Sequence, residues 1–234
     1  MESIISVSDI QSDPNILILY AVRTNNKHHI QTLIRQGINI DKTILWILKN
    51  KYATHENLSY FIEKSNNLNI TDNQGKTPLY YAILHKYINI AYLLIDYGVD
   101  VNIGKPIFYA IRYGLFELVQ KLILRGADVN IEKLDGYTPL MEAISLNNIK
   151  ITRLLIDSGA IINVSIYNNY TPLIFSVINK NINIIQLLLE KNKHKYIRQL
   201  DCKNALQFAY TNEMYATKYE LQSIIHLLKN YIVI

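Results

Sequence analysis

The sequence is poor in several residues on which whole classes of protein depend. It has one cysteine, Cys202, which excludes an internal disulfide framework and favours a reducing compartment. Its 8 Gly and 5 Pro are too few for a fibrous or loop-rich protein. No apolar run approaches the ~18 residues of a membrane span, and the first ten residues lack the basic region of a secretory signal. We therefore expect a cytoplasmic protein with no membrane partner.

The chain nevertheless contains enough apolar material for a sizeable core. Half of its residues (50%) are hydrophobic and 18% are charged, which excludes disorder on compositional grounds. The formal net charge of +5 permits weak attraction to phosphate groups or acidic partners but establishes neither. Ile, Asn, Lys and Tyr are abundant, which indicates an AT-rich genome.

One phrase recurs along the chain and defines an internal repeat. Residues 77–82, 138–143 and 171–176 each begin Thr-Pro-Leu and end on a small residue. The later copies lie 33 residues apart, while two earlier copies are shorter. A degenerate second copy has Lys49 at the small-residue position, so we expect this repeat to be looser than the others. The small residues that mark the other copies are Ala21, Ala82, Ala110, Ala143, Ser176 and Ala209.

The residues around this phrase predict a pair of helices in each repeat. Threonine is a good helix N-cap, and proline is tolerated at the first helical position. A second apolar stripe with helical period follows and ends at Gly98, Gly126 or Gly159, where a C-cap glycine belongs. A single helix pair cannot bury its apolar face, so successive pairs must stack.

The copy from Asp72 to Asn102 resembles an ankyrin repeat, which reads D-x-x-G-x-T-P-L-H-x-A and then a helix ending L-L-x-x-G-A-x-x-N. It departs at Tyr80, where the family has His, and the fifth and sixth copies also lack the leading Asp. The resemblance implies an all-α solenoid of about seven helix-turn-helix repeats with short β-hairpin fingers. It implies a single domain over residues 1–234, with an altered last repeat. The approximate repeats are 13–41, 42–68, 69–102, 103–130, 131–163, 164–197 and 198–231.

The end of the chain permits two interpretations. A finished solenoid usually presents a polar face at its last repeat, but residues 231–234 are mostly apolar. Either these residues pack back onto the last repeat, or the sequence is the first part of a longer protein.

The sequence contains no arrangement of residues that predicts catalysis. Phosphate-binding, dinucleotide-binding, zinc-protease and nucleophile-elbow motifs are all absent, and the six histidines show no metal-ligand spacing. We expect no enzyme activity, catalytic residue, cofactor, metal or small-molecule substrate. The basic run at residues 191–195 is either a solvated helix end or a phosphate contact, and no nucleic-acid motif accompanies it.

The resemblance also indicates where a protein partner would bind. In ankyrin proteins the contacts come mainly from the hairpin tips and the exposed side of the first helix. Here these positions include Tyr, Arg and exposed Leu, which are common at interfaces. The predicted partner-binding residues are Asn73, Gln74, Lys76, Leu84, His85, Arg112, Tyr113, Leu134, Asp135, Tyr137, Leu146, Tyr167, Asn168, Tyr170 and Asn179.

Degenerate, shortened repeats and AT-rich residue choice resemble the ankyrin proteins of poxviruses, although bacterial effectors and giant-virus proteins share these traits. The resemblance implies a non-catalytic host-range or immune-evasion scaffold that captures a host innate-immune or signalling protein on its concave face. It would work with a ubiquitin ligase only if a further C-terminal segment follows. Two alternatives stay open: an endogenous module that masks a signalling or transcription factor, and a weak nucleic-acid binder that uses the net basic surface.

Overall fold

The computed structural model of the protein describes residues 14–24, 26–165, 170–190, 199–211 and 218–232. These residues form fourteen α-helices that alternate with short turns and loops. The helices are α1 (Pro14–Arg23), α2 (Lys27–Arg35), α3 (Ile40–Lys49), α4 (His55–Lys64), α5 (Pro78–Leu84), α6 (Ile88–Asp96), α7 (Pro106–Arg112), α8 (Phe116–Leu124), α9 (Pro139–Ser145), α10 (Ile149–Asp157), α11 (Pro172–Ile178), α12 (Ile182–Glu190), α13 (Gln199–Thr211) and α14 (Lys218–Ile232).

The repeated Thr-Pro phrase begins the helix as the sequence predicts. Thr77 is extended, and its hydroxyl accepts a hydrogen bond from the backbone N–H of Tyr80 at 3.1 Å. Thr138 and Thr171 cap α9 and α11 in the same way. The proline that follows loses nothing by lacking an N–H, because the first helical N–H has no intrahelical acceptor. Sequence and backbone chemistry therefore agree on where the first helix of these repeats starts.

Glycine ends three of the second helices. Gly98, Gly126 and Gly159 follow α6, α8 and α10 with φ of 80°, 87° and 91°. Such left-handed conformations strain a residue with a Cβ atom, so the predicted C-cap role of these glycines is confirmed.

The chain divides into two compact units, residues 1–109 and residues 110–234. In the first unit, α5 packs on α3 and α6 packs on α4. In the second unit, α9, α11 and α13 pack in succession, as do α8, α10, α12 and α14. Each unit therefore stacks first helices on first helices and second helices on second helices.

The small residues of the repeated phrase lie at these contacts, as expected. Their exposed fractions are 0% at Ala82, Ala143 and Ser176 and 2% at Ala209. A larger side chain would overpack the contact between neighbouring helices, at a cost of roughly 1–3 kcal/mol.

The prediction for the second repeat was wrong in its register. Lys49 is the last residue of α3, just as Leu84 is the last residue of α5, so the position of Ala82 is taken by Ile47. Ile47 is 0% exposed, whereas Lys49 lies at the surface. Sequence alignment slipped by two residues because this repeat lacks the Thr-Pro-Leu phrase, and the argument from Lys49 for a looser repeat no longer applies.

Within the described ranges, two loops take the place of predicted hairpins and are called fingers below: residues 71–77 and residues 131–137. In the first, the N–H of Asp72 donates to the carbonyl of Lys76, and in the second the N–H of Lys133 donates to the carbonyl of Tyr137, both at 3.0 Å. The fingers are closed turns, and neither contains a run of strand residues.

The seven predicted repeats each correspond to one helix pair, with α3 beginning at residue 40, slightly before the predicted boundary at 42. The last pair differs from the rest: α13 has 13 residues and α14 has 15, against 7 and 9 in the pair formed by α9 and α10. The exact boundaries and the single domain stay predictions.

Candidate partner-binding surface

Asp72 organises the first finger. One oxygen of its carboxylate accepts the backbone N–H groups of Gln74 at 2.9 Å and Lys76 at 3.0 Å, which closes the turn. Asn73 and Gln74 are exposed at the tip. The exposed tip is therefore held in place by backbone N–H groups that donate to Asp72 within the same finger.

The second oxygen of Asp72 joins this finger to its surroundings. It accepts from the Tyr81 hydroxyl at 2.7 Å and from the Lys49 ammonium at 2.9 Å. Burial alone would raise the pKa of Asp72, but the hydrogen bonds from Tyr81, Lys49 and the backbone hold this pKa well below its usual range. Burial and the bond to Asp72 raise the pKa of Tyr81 to about 12. We call these three residues the Asp72 clamp.

A second clamp holds the second finger, with a cation at the finger base and the acid on the helix. The Glu142 carboxylate accepts from the Arg112 Nε atom at 2.9 Å and from the Lys133 ammonium at 2.8 Å. The side chain of Glu142 is only 7% exposed, against 49% for Arg112 and 33% for Lys133. We call these three residues the Glu142 clamp.

The two clamps use equivalent positions of the repeat. Lys49 and Arg112 each end a first helix, Asp72 and Lys133 each lie five residues before the capping threonine, and Tyr81 and Glu142 each precede the small residue. The finger base that carries Asp in the family carries Lys133 here, and an acid at position 142 compensates.

Half-buried aromatic rings continue from the second finger. Tyr137 contacts Phe175 at a ring-centroid distance of 5.7 Å, Phe175 contacts Tyr170 at 6.0 Å, and Tyr170 contacts Phe208 at 6.0 Å. The Tyr137 hydroxyl donates to the carbonyl of Met141 at 3.2 Å. We call these four rings the aromatic ladder. The second unit therefore presents a row of partly exposed aromatic side chains, a residue class that is enriched at protein interfaces.

The predicted binding residues differ in their exposure. Among the described ones, the structure brings Tyr137 and Tyr170 together through Phe175, whereas Asn179 has a structural bond, donating to the carbonyl of Ile144 at 3.1 Å. Asn73, Gln74, Arg112, Leu134, Asp135 and Leu146 are exposed; Lys76, Leu84, His85, Tyr113, Tyr137, Tyr170 and Asn179 are partly buried; Tyr167 and Asn168 lie outside the described residues.

Leu134 and His85 represent the two extremes of this set. Leu134 lies at the tip of the second finger with a relative exposure of 109%. The Nε2 atom of His85 is buried and has no hydrogen-bond partner among the described residues. Burial and the nearby charge of Lys51 lower the pKa of His85, so this imidazole is neutral at physiological pH. Leu134 is available to a partner, whereas His85 is largely part of the packing.

The fourth repeat lacks a finger, and aromatic packing fills part of the space. Tyr80 contacts Tyr109 at a ring-centroid distance of 4.8 Å, and the Lys76 ammonium lies 4.4 Å from the centroid of Tyr80. Gly104, with φ of 76°, passes close to the carbonyl of Gly75. The open notch that a missing finger suggests is therefore partly closed within the first unit.

Sequence analysis missed Glu142 and misplaced Lys49. The sequence carries a signal for Glu142: the basic residue Lys133 stands where the family has an acid, and an acidic residue follows nine positions later. A helix-end cation in the preceding repeat completes both clamps, and such a pairing is visible only once the repeat register is correct.

The described residues offer little for other chemistry. They contain no cluster of three or more metal-ligating His, Cys, Asp or Glu residues. Cys202 is buried, and burial raises the pKa of its thiol to about 11, which disfavours a reactive thiolate. None of the helices in the described ranges has the length and hydrophobicity needed to cross a bilayer. The basic run at residues 191–195 lies outside the part of the chain that the structure describes.

Comparison with known proteins identifies the repeated unit. A family model for ankyrin repeats, in three copies, matches residues 15–105 and 107–201. The chain belongs to the ankyrin-repeat family. The crystal structure of an ankyrin repeat domain from Acinetobacter baumannii AYE superimposes with a TM-score of 0.66 and 25% identity, covering 75% of this chain and 97% of that one. The predicted all-α ankyrin-repeat fold is therefore confirmed.

A viral relative is also found. A putative ankyrin repeat protein of Acanthamoeba polyphaga mimivirus is 28% identical over 109 residues, which are 43% of this chain. The chain spans only 14% of the length of that relative. Ankyrin repeats are in general non-enzymatic interaction modules, and their presence indicates a protein–protein interaction scaffold.

Proposed function

We propose that this ankyrin-repeat chain is a viral host-range or innate-immune antagonist that captures a host protein in the host cytoplasm. The capture surface lies in the second unit and comprises the second finger, the exposed Arg112 at the end of α7 and the aromatic ladder. The partner is an innate-immune or signalling factor, and binding itself blocks or sequesters it. Targeting to a ubiquitin ligase would need a further segment in addition to the ankyrin repeats.

The observation that carries the proposal is Leu134 at the tip of the second finger. Its relative exposure is 109%, yet the finger base is held by the Glu142 clamp and by the hydrogen bond between Lys133 and Tyr137. A leucine displayed on a fixed loop is available for contact without much loss of backbone entropy on binding. Arg112 and Tyr137, beside the same clamp, are residue types enriched among interface hot spots.

The viral part of the proposal rests on two further observations. The related ankyrin protein of a giant virus supports a viral origin. The heavy use of Ile, Asn, Lys and Tyr agrees with an AT-rich viral genome. Immune antagonism follows from the resemblance to poxvirus ankyrin proteins and is the most specific step of the proposal.

The test is affinity capture from a lysate of human cells, followed by mass spectrometry. Wild type is compared with Leu134→Asp, and Leu124→Asp provides a matched control because Leu124 is also strongly exposed, at 77%, at the end of α8. We expect an innate-immune or signalling protein to be retained by wild type and Leu124→Asp but lost with Leu134→Asp. If wild type and both variants retain the same protein, the finger is not the capture surface. If only ribosomal proteins are captured and nuclease removes them, the proposed function is wrong.

A further inference from the structure

A groove of about 460 Å³ lies in the first unit, where the second repeat has no finger. Helix α2 ends at Arg35 and α3 begins at Ile40, so only residues 36–39 connect them. Ile18, Ile38, Lys42 and Trp46 line the groove. None of these residues belongs to the predicted binding set, because the sequence gives no motif at this position.

The walls of the groove combine apolar and aromatic side chains with the polar Gln36, Asn39 and Thr43. Ile18 is 5% exposed, while Ile38 and Trp46 are partly buried and line the opening. Trp46 packs against Tyr52 at a ring-centroid distance of 5.6 Å, and the Arg23 guanidinium lies 5.4 Å from the centroid of Tyr52. The volume falls within the range of about 300–1,000 Å³ that is common for ligand pockets, and the apolar part of the lining can pack against aliphatic groups.

The charge at the groove is positive. Lys42 is the one charged side chain among its described lining residues, and it makes no ion pair with any described residue. The nearest acid along the helix, Asp41, accepts hydrogen bonds from the Ser65 hydroxyl at 2.6 Å and the Asn66 backbone N–H at 3.2 Å, and it does not line the groove. A carboxylate brought to this opening would therefore meet a cation that has no described partner.

We propose that this groove binds a segment of a partner protein in which two neighbouring aliphatic side chains stand beside a carboxylate. The aliphatic groups pack on Ile18, Ile38 and Trp46, and the carboxylate pairs with the Lys42 ammonium. This docking site is separate from the finger surface proposed above, so either can fail without the other.

The experiment uses the single tryptophan of the chain as its reporter. A phage-displayed library of random short peptides is selected on the full chain, with counter-selection on the Lys42→Glu variant. Enriched peptides are then synthesised and titrated while the emission of Trp46 is followed. We expect the enriched sequences to combine paired Leu, Ile or Val with Asp or Glu, and their binding to shift the emission of Trp46 to shorter wavelength.

Charge-matched variants test the role of Lys42. Lys42→Glu should weaken the selected peptides roughly tenfold or more, since a charge-assisted bond is replaced by repulsion. Lys150→Glu, an equal change of charge at an exposed site on α10, should leave their affinity unchanged. Equal weakening by both variants, no acidic enrichment, or failure to enrich any groove-dependent peptide overturns the proposal.

Two other occupants are distinguished in the same assay. The first residues of this chain are themselves apolar and acidic, so Ile4→Asn with Ile5→Asn is tested in the full chain. If this variant differs from wild type in Trp46 emission before any peptide is added, and if only this variant binds peptides, the first residues of the chain occupy the groove. The proposal of a partner would then be wrong. A concentration-dependent Trp46 emission without peptide would assign the groove to a second copy, with the same consequence.

Discussion

Replacement of Glu142 by glutamine tests the Glu142 clamp with the least change of shape. The carboxylate is 7% exposed and accepts two charge-assisted hydrogen bonds, from Arg112 and Lys133. Each such bond contributes roughly 1.5–3 kcal/mol when fully buried. Because the two cations are 49% and 33% exposed, water can replace part of the hydrogen bonding that they lose with the Glu142 carboxylate. We expect Glu142→Gln to lower the free energy of unfolding by about 2 kcal/mol, less than the ~3–5 kcal/mol for a fully buried pair.

Urea denaturation followed by far-UV circular dichroism measures this loss. With a slope of about 2 kcal/mol per molar, the midpoint should fall by about 1 M at an unchanged slope. Glu190→Gln, at an exposed position at the end of α12, should change stability by less than about 0.5 kcal/mol. Hydrogen exchange should show the added opening in residues 131–145 first, because the finger base loses its attachment there.

A double variant tests whether the two clamps are equivalent. Lys133→Asp alone should be more damaging than Glu142→Gln, because it places two carboxylates together. Lys133→Asp with Glu142→Tyr recreates the arrangement of Asp72 and Tyr81, with Arg112 in the place of Lys49. The double variant should therefore recover at least about 1 kcal/mol relative to Lys133→Asp alone, measured as a coupling energy. If it is no more stable than Lys133→Asp, the two clamps are not equivalent.

Three further predictions concern the first unit. Ile47→Ala should destabilise by about 3 kcal/mol and Lys49→Ala by about 1 kcal/mol or less, since only Ile47 is buried; equal losses in urea denaturation would contradict the corrected register. Asp72 has a lowered pKa in the folded state, so its contribution to stability is complete above about pH 4 and disappears as the pH falls. When the free energy of unfolding is measured against pH, Asp72→Asn should become as stable as wild type only at the acid end. Tyr81 has a raised pKa, so wild type should be more stable than Tyr81→Phe up to about pH 10, and this difference in stability should vanish at about pH 12. If the difference in stability between wild type and Tyr81→Phe stays constant from pH 9 to 12, the Tyr81 hydroxyl does not stabilise the Asp72 clamp.

Local chemistry made much of the fold predictable from sequence. A threonine cap acts on an N–H three residues away, and a C-cap glycine responds to its own φ angle, so both can be recognised within a short segment. Thr77, Thr138 and Thr171 and the glycines after α6, α8 and α10 lie where the sequence predicts. The second repeat lacks these signals, and there the alignment slipped.

The interactions that fix the fingers could not be predicted in this way, because they join residues far apart in sequence. Arg112 and Glu142 are 30 residues apart, and Lys49 and Asp72 are 23 apart. Their side chains meet only after consecutive repeats stack. The groove beside Trp46 was missed for a related reason: it arises from a finger that is absent, and an absent segment carries no motif.

The two clamps change how departures from the repeat consensus should be interpreted. Lys133 in place of the usual aspartate looks like decay when its own repeat is considered alone. With Glu142 and Arg112 it forms a base as fully paired as that of Asp72, Tyr81 and Lys49, although only the helix-end cation has kept its charge. Stability therefore constrains the pattern of partners at the base and leaves the tip free to vary. The tip residues differ between the fingers: Asn73 and Gln74 in the first stand where Leu134 and Asp135 stand in the second. These exposed positions are then the ones on which partner choice can act.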